Sequence, residues 1–580
     1  MDFNVAAVHQ AIGAALGDRE CIVTPTRRLR WADFVGRSRR LANHLHQVGL
    51  GSHQPRDRLA RHQSGQDHLA VYLHNSPEYL EAVAGAFAAR VAPFNVNWRY
   101  LAGELRSLLS ATRPRALVYH GAFAPRLAEA LDGLTGVDVL LQVDDGSQQP
   151  LLPGAVDYEA ALAASSDDLP PCADGWSPDD LYIICTGGTT GTPKAVLWHQ
   201  ADAFVALFGG HHGPDRREWN NPDELVATLR ETTPEVWLPA APFMHGVGQW
   251  MAFQALHAGH TVVIPGVISR FDPDDALRRI EQERVTCMMI VGDAFARPLL
   301  DALGTRRYDL SSLRTLRSGG AALSTIARSE LRRHLPGVSI VESMGSSESG
   351  SLGRNTTDND TGAGGAAPGV FDPAPGTVVV NEGRNDILAP GDDTIGWLAT
   401  TGRGRIPLGY LGDPDRTATT FPVIGGVRMA IPGDRARYNH DGTITVLGRD
   451  AAVINTGGEK VFAEEVEAVL LDQPEVRDAV VCGRPSQRWG SEIIALVQLA
   501  PGYDALDTDR LLDRAARRLA RYKLPKEIIV LDEIARSPAG KPDYRWAREV
   551  AGRTSGAQHQ HHTSAADIRW CPSRAEGRDH

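Results

Sequence analysis

A chain of 580 residues exceeds what one hydrophobic core ordinarily serves, so at least two folding units are expected, one of them large enough to bury a sizeable site. Hydrophobic residues at 42% and charged residues at 23% suit a soluble globular protein, and no run approaches the ~18 apolar residues that a spanning helix needs. The net charge of -11 excludes a nucleic-acid coat, although it leaves room for local basic grooves; the six cysteines, with no close pair, fit free thiols rather than a zinc site or a disulfide framework.

Residues 1–13 carry no basic cluster followed by an apolar core, so no secretory signal is read there and a cytoplasmic location is expected. The His/Arg/Gln-rich segment 52–68 reads as a surface excursion. Residues 76–89 open with Ser-Pro-Glu and place Leu80, Val83 and Phe87 at helical spacing, which predicts a capped amphipathic helix and then a short strand. The alternation returns where Asp272-Pro273 opens a helix through Leu277 and Ile280, followed by a buried strand over 286–291. Further strands are expected at 313–316 and 338–341, each running into Ser or Gly. Such alternation argues for α/β layers with ligand loops at the strand ends. After Leu447 the pattern becomes strand, helix, strand, strand, helix, strand, with helices over 463–472 and 508–521 and strands including 479–482, 493–499 and 528–531. The expectation is an α/β protein with a large multi-subdomain N-terminal domain over 1–447, a small α+β domain over 448–550, and a polar, disordered tail over 551–580. In that tail His559, His561 and His562 read as solvated.

The most informative stretch follows the apolar run Leu181-Tyr182-Ile183-Ile184-Cys185: Thr186-Gly187-Gly188-Thr189-Thr190-Gly191-Thr192-Pro193-Lys194. Three glycines, four hydroxyls and a lysine supply backbone N–H groups, hydroxyl donors and positive charge, which suits a polyphosphate. It is not a Walker A loop, because Thr192-Pro193 separates Gly191 from Lys194. Alone, such a stretch is also what a Gly/Thr-rich turn looks like. Further segments stand beyond it: Pro242-Phe243-Met244-His245-Gly246; Arg317-Ser318-Gly319-Gly320-Ala321-Ala322-Leu323-Ser324; Met344-Gly345-Ser346-Ser347-Glu348; Pro432-Gly433-Asp434 with Gly448-Arg449-Asp450; Asn455-Thr456-Gly457-Gly458-Glu459-Lys460-Val461-Phe462; and Gly540-Lys541-Pro542-Asp543-Tyr544.

In composition and order these segments resemble the adenylate-forming superfamily, which includes acyl-CoA synthetases, adenylation domains and firefly-type luciferases. The resemblance implies an adenylate-forming domain followed by a small mobile domain, with ATP, Mg²⁺ and coenzyme A as the cofactor and co-substrates. By the same resemblance Thr186, Gly187, Gly188, Thr190, Gly191 and Lys194 cradle phosphate, Thr189 and Glu348 ligate the metal, and His245 borders the acyl pocket. Gly319, Gly320 and Ala321 lie near adenine, with Met344, Gly345 and Ser347 beside them; Asp434 takes the ribose hydroxyls and Arg449 the ribose or phosphate. Gly457, Gly458 and Lys460 belong to the pantetheine tunnel, and Lys541 is the catalytic lysine. Met344 stands where the family has an adenine-stacking Tyr, Ser347 where it has Thr, and Ala451 at a hinge position that is often Asp or Lys. The spelling of the Thr/Gly loop and of the segments 454–462 and 540–546 is similar to actinobacterial fatty-acid and steroid-side-chain CoA ligases, which implies a hydrophobic small-molecule acid as partner, no nucleic acid and no integral membrane segment. The rival readings are an acyl-AMP ligase serving a carrier protein, a luciferase, and a non-catalytic nucleotide or acyl-chain sensor, which would lack Lys541 or Glu348.

Overall fold

The computed structural model describes residues 3–186, 194–213, 217–357, 369–456, 459–486, 489–536 and 540–553. The chain divides into two compact units, one of residues 1–323 and 330–446, the other of residues 324–329 and 447–580.

The larger unit holds two long sheets. One has eight strands, in the order Gly409–Tyr410, Lys194–His199, Leu181–Thr186, Ala92–Asn95, His68–Tyr72, Ala116–His120, Val139–Val143 and Ala155–Asp157. From Leu181–Thr186 to Ala155–Asp157 every pairing is parallel, and the interior strands are apolar along their length because both faces are covered. The second sheet has thirteen strands, at whose centre Ser339–Ser346, Thr315–Gly319, Cys287–Ile290, Val236–Pro239 and Thr261–Val263 run parallel. Helices pack where their apolar stripes find a sheet face. Pro77–Ala88 is capped by Ser76, whose side chain accepts from the Tyr79 N–H, and buries Leu80, Val83 and Phe87; Pro273–Glu283 is capped by Asp272 in the same way. Trp31, Phe34, Leu41 and Phe87 anchor the principal core.

Two expectations about this unit need correction. The strand expected at 338–341 runs over Ser339–Ser346, because antiparallel pairing with Gly350–Thr357 carries it on, so Met344 and Gly345 lie inside a strand instead of after it. Gly345 sits beside a register shift where an added Cβ would come 2.3 Å from the Gly350 carbonyl oxygen, a close approach that only glycine permits. Most of the segment 52–68 does lie outside the sheets, but His68 opens the strand His68–Tyr72 and the residues before it are buried: Gln66 donates to the Arg90 carbonyl at 2.7 Å and accepts from the Leu181 N–H at 2.6 Å.

The smaller unit packs Ala463–Leu471, Thr508–Ala515 and Tyr544–Arg553 against a sheet of Val476–Ser486, Gly490–Leu499 and Glu527–Leu531, with the hairpin Val453–Thr456 and Glu459–Phe462 alongside. The helix expected over 508–521 ends at Ala515, because Leu519 turns into the core while Arg514 and Arg518 reach Glu475 and Asp472. The last helix continues to Arg553, three residues past the expected boundary, because Val550 and Ala551 are buried; residues 554–580 lie outside the described residues. Among the described residues no helix is long and apolar enough to cross a membrane.

Candidate active site

The strand Leu181–Thr186 and its antiparallel partner Lys194–His199 are in register from Leu181 opposite His199 to Thr186 opposite Lys194, so these last two residues form the closing pair of the intervening loop. Gly187, Gly188, Thr189, Thr190 and Gly191 lie outside the described residues. On the far side of Lys194–His199 the short strand Gly409–Tyr410 pairs Tyr410 with Val196. That pairing brings the Lys194 ammonium within 5.8 Å of the Tyr410 ring centroid, a cation–π contact at its outer limit.

Tyr410 also donates its hydroxyl to Oε1 of Glu348 at 2.8 Å. Burial and the neighbouring carboxylate both push the Tyr410 phenol up, so it stays a proton donor throughout the workable pH range. Glu348 is buried, yet its second carboxylate oxygen takes no protein partner among the described residues. A carboxylate with one oxygen held and the other available fits a hard cation that also takes phosphate oxygens. The turn carrying Glu348 is fixed by its own hydroxyls, since the Glu348 N–H donates to Ser346 Oγ at 3.2 Å and the Ser346 and Ser349 hydroxyls lie 2.9 Å apart. The Trp198 indole donates to the Ser347 carbonyl at 3.0 Å, tying this turn back to the hairpin of Lys194. Met344 packs against the cluster of Leu352, Val379, Leu398 and Tyr438.

His245 precedes the helix Gly246–His257, and its carbonyl accepts from the Gly248 and Gln249 N–H groups at 3.1 and 3.2 Å. Two buried asparagines hold the approach to this helix. Asn75 donates to the Ala241 carbonyl at 3.1 Å and accepts from the Phe243 N–H at 2.7 Å. Asn95 donates to the carbonyls of Met244 at 2.6 Å and Cys185 at 2.8 Å, and accepts from the Cys185 N–H at 2.8 Å. One amide thus ties the residue before His245 to the residue before Thr186. Burial pushes the Cys185 thiol up, which leaves it inert as a nucleophile at neutral pH. Gly319 ends the strand Thr315–Gly319, with Gly320 and Ala321 following, and Asp434 opens the strand Asp434–Tyr438.

In the smaller unit Arg449 ends the strand Ile444–Arg449, Lys460 pairs with Asn455 in the hairpin, and Gly457 and Gly458 lie outside the described residues. Lys541 is exposed. Its surroundings are pinned by Arg536, which pairs with Asp478 at 2.7 Å, donates to the Gly540 carbonyl at 3.0 Å and bridges to Pro542. The structure therefore brings Thr186, Lys194, Ser347 and Glu348 together through Tyr410 and Trp198. The sequence motifs do not include Tyr410, Trp198, Asn75 or Asn95, and nothing in their local spacing singles them out.

These features are those of an α/β enzyme of the nucleotide-handling class. The chain belongs to the AMP-binding enzyme family: the model of that family matches residues 9–411, and the model of the AMP-binding enzyme C-terminal domain matches residues 465–541. It is 48% identical over 549 residues to the medium-chain acyl-CoA ligase Mig of Mycobacterium avium, covering 95% of this chain and 98% of that one. It is 36% identical over 560 residues to the 3-oxocholest-4-en-26-oate–CoA ligase of Rhodococcus rhodochrous, covering 95% of this chain and 96% of that one. In fold it is similar to the anthranilate CoA ligase AuaEII in complex with anthranoyl-AMP, with a TM-score of 0.78 at 18% identity over 96% of this chain and 98% of that one. It is similar also to ATP-bound MatB from Rhodopseudomonas palustris, with a TM-score of 0.75 at 23% identity over 94% and 98% of the two chains.

Proposed function

We propose that this protein is an AMP-forming acyl-CoA synthetase, an acid–thiol ligase that joins a hydrophobic fatty or steroid-side-chain acid to coenzyme A at the expense of ATP. The observation that carries this reading is its near full-length relation to ligases named for those two classes of acid. A carboxylate and a triphosphate repel one another, so positive charge and fixed donors must be in place before they can approach. Thr186 and Lys194 sit at the two ends of the phosphate loop and supply a hydroxyl and a cation there. Tyr410 holds one oxygen of Glu348 by a hydrogen bond and leaves the other available, which with Thr189 would hold Mg²⁺. The ion, when bound, neutralises phosphate charge.

In the first half-reaction an acid oxygen attacks the α-phosphorus, the bond to pyrophosphate breaks, and the acyl-adenylate forms. Lys541 offsets the charge that gathers on the carboxylate and α-phosphate, Asp434 accepts from the ribose hydroxyls, Arg449 meets the ribose or phosphate, and Gly319 to Ala321 let the adenine lie close to backbone. His245, at the head of the helix Gly246–His257, borders the acid. In the second half-reaction the coenzyme A sulfur, reaching the anhydride past Gly457, Gly458 and Lys460, attacks the acyl carbon and AMP leaves. A cytoplasmic location is part of this proposal, because ATP and coenzyme A are supplied there.

The test is release of pyrophosphate and AMP from Mg-ATP with short, long and steroid-like acids, with and without coenzyme A, beside Lys541→Ala. AMP and thioester that require both acid and coenzyme A, with adenylation reduced about a hundredfold or more in the variant, support the reading. Acid-dependent pyrophosphate with no thioester points instead to a carrier-protein acceptor, and ATP binding without turnover to a sensor.

A further inference from the structure

The strand Thr315–Gly319 turns Thr315, Arg317 and Gly319 to one face. Parallel register sets Arg317 beside Met289, and Met289 beside Pro239. Two residues further from the carboxyl ends of the strands, Thr315, Cys287 and Trp237 form the next row on the same face. The helix Gly246–His257 lies over this face: Gln254 accepts a long hydrogen bond from Arg317 Nη1 at 3.4 Å, and the Arg317 guanidinium stands 4.8 Å from the Trp237 ring centroid.

Arg317 is poorly satisfied for a guanidinium in this setting. Its Nε is enclosed and takes no acceptor, and among the described residues it makes no ion pair. Glu235 is close enough to be felt electrostatically at Cys287, as Arg317 is, but its carboxylate is engaged by the Trp237 indole at 2.7 Å and the Thr286 hydroxyl at 3.4 Å. Arginine presents five N–H donors and no acceptor, so what the cluster lacks is an oxygen from elsewhere. Nearer the strand ends the same face opens on glycine. A Cβ added at Gly319, roughly 7 Å above Arg317 at the strand rise, would meet the flexible ε-methyl of Met289 at 3.1 Å and the carbonyl oxygen of Ser343, on the neighbouring strand, at 3.2 Å. At Gly320 it would meet Val247 of the covering helix at 3.3 Å. From His245 to Gln254 the helix rises about 13 Å.

We propose that Arg317 is a specificity residue that receives a hydrogen-bond acceptor, a ketone or carboxylate oxygen, at the end of the substrate remote from its reacting carboxyl. This rests on the reading above, in which His245 borders the acid, and adds that the far end of the acid runs past Gly319 along this face toward Arg317. Met289, the register neighbour of Arg317 and the side chain that reaches Gly319, is one that repacks readily. A preference for oxygenated acids then follows from leaving fewer guanidinium donors without a partner.

The experiment compares kcat/KM for pyrophosphate release with straight-chain acids of graded length and their counterparts bearing a ketone or second carboxylate near the far end. Wild type is expected to favour an oxygenated acid over its plain counterpart about tenfold or more at one chain length, and Arg317→Leu to bring that ratio close to one. Gln254→Glu, which sets a carboxylate against the guanidinium without removing it, is expected to erase the preference too and serves if the leucine variant folds poorly. Arg317→Lys, which keeps a charged donor, should recover part of the ratio. A wild-type ratio near one at every length overturns the proposal, as does a ratio that survives in Arg317→Leu; loss of activity in equal proportion on both acids assigns Arg317 a structural role. Failure of wild type to activate any acid refutes the activity itself, and the specificity with it.

Discussion

Removing one oxygen atom from Tyr410 tests the centre of the site. Tyr410→Phe keeps the ring that packs against Phe421, with centroids 5.7 Å apart, and the cation–π contact with Lys194, but deletes the 2.8 Å donor to Glu348. A hydrogen bond to a charged group is worth about 1.5–3 kcal/mol, and it is lost here beside a carboxylate that stays buried. At 1.36 kcal/mol per decade that is a fall of roughly tenfold to a hundredfold in kcat/KM for acid-dependent pyrophosphate release. Because burial and Glu348 hold the phenol up, Tyr410 is a donor at every workable pH, and the loss should be the same at pH 7 and pH 9. If the hydrogen bond serves to aim Glu348 at a cation, raising Mg²⁺ should recover part of the rate. The assay is initial rate against Mg²⁺ at saturating ATP, with thermal unfolding alongside. A variant within twofold of wild type at all Mg²⁺ concentrations, and equally stable, would refute the role given to this pair.

Two further predictions concern stability against pH, and they run in opposite directions in the two units. Burial pushes the Glu467 carboxyl up to about 8, so the folded small unit keeps a proton that the unfolded chain has lost; stability is greatest below the unfolded value of 4.5 and falls as pH rises toward 8, by about 3 kcal/mol at pH 7. Glu467→Gln should flatten that slope, read as hydrogen-exchange protection of Val476–Ser486, and an unchanged slope counts against it. In the large unit burial holds His257 down at about 4 and His9 well below its ordinary value, with His257 Nδ1 2.9 Å from the Phe208 carbonyl and the two Nε2 atoms 3.0 Å apart. The stability of their neutral forms is complete above the unfolded value of 6.5 and is lost as pH falls toward 4, about 3 kcal/mol for His257 alone. His74 and His120, each lowered to about 4 chiefly by burial, add in the same direction. Thermal unfolding of the large unit should therefore weaken between pH 6.5 and 5, and a midpoint constant over that range would contradict the assignment.

What the sequence made legible was local or contiguous. The caps at Ser76 and Asp272, the buried run before the phosphate loop and the alternation of strand and helix are short-range signals, and each stands in the structure at its expected place. Less legible were features set by a partner outside the element itself. The extension of Ser339–Ser346 needs Gly350–Thr357 to pair with it, and the early end of Thr508–Ala515 reflects carboxylates on the preceding segment, Asp472 and Glu475. The site divides in the same way. Thr186, Lys194 and Glu348 lie in recognisable segments, whereas Tyr410 reaches Glu348 across 62 positions and Asn95 reaches Met244 across 149. Contacts across such separations carry no periodicity that a sequence read alone could detect.

The chemistry of those distant residues explains why they are polar in an otherwise apolar interior. Strands that end at a ligand site leave backbone N–H and C=O groups past the last ladder bond, and a buried one left unmatched costs about 1–3 kcal/mol. An asparagine side chain offers two donors and an acceptor from one planar group, so Asn95 can satisfy both backbone groups of Cys185 and the carbonyl of Met244 at once. Asn75 does the same for Ala241 and Phe243. Catalytic geometry has to be held to about 0.5 Å, and a bidentate amide between two strand ends constrains direction in a way that apolar packing does not. On this argument the backbone leading to His245 is tied to the strand before Thr186 by Asn75 and Asn95, as the turn of Glu348 is held by Tyr410 and Trp198. If the motif residues supply the reacting charges, as proposed, these four side chains fix where the charges stand.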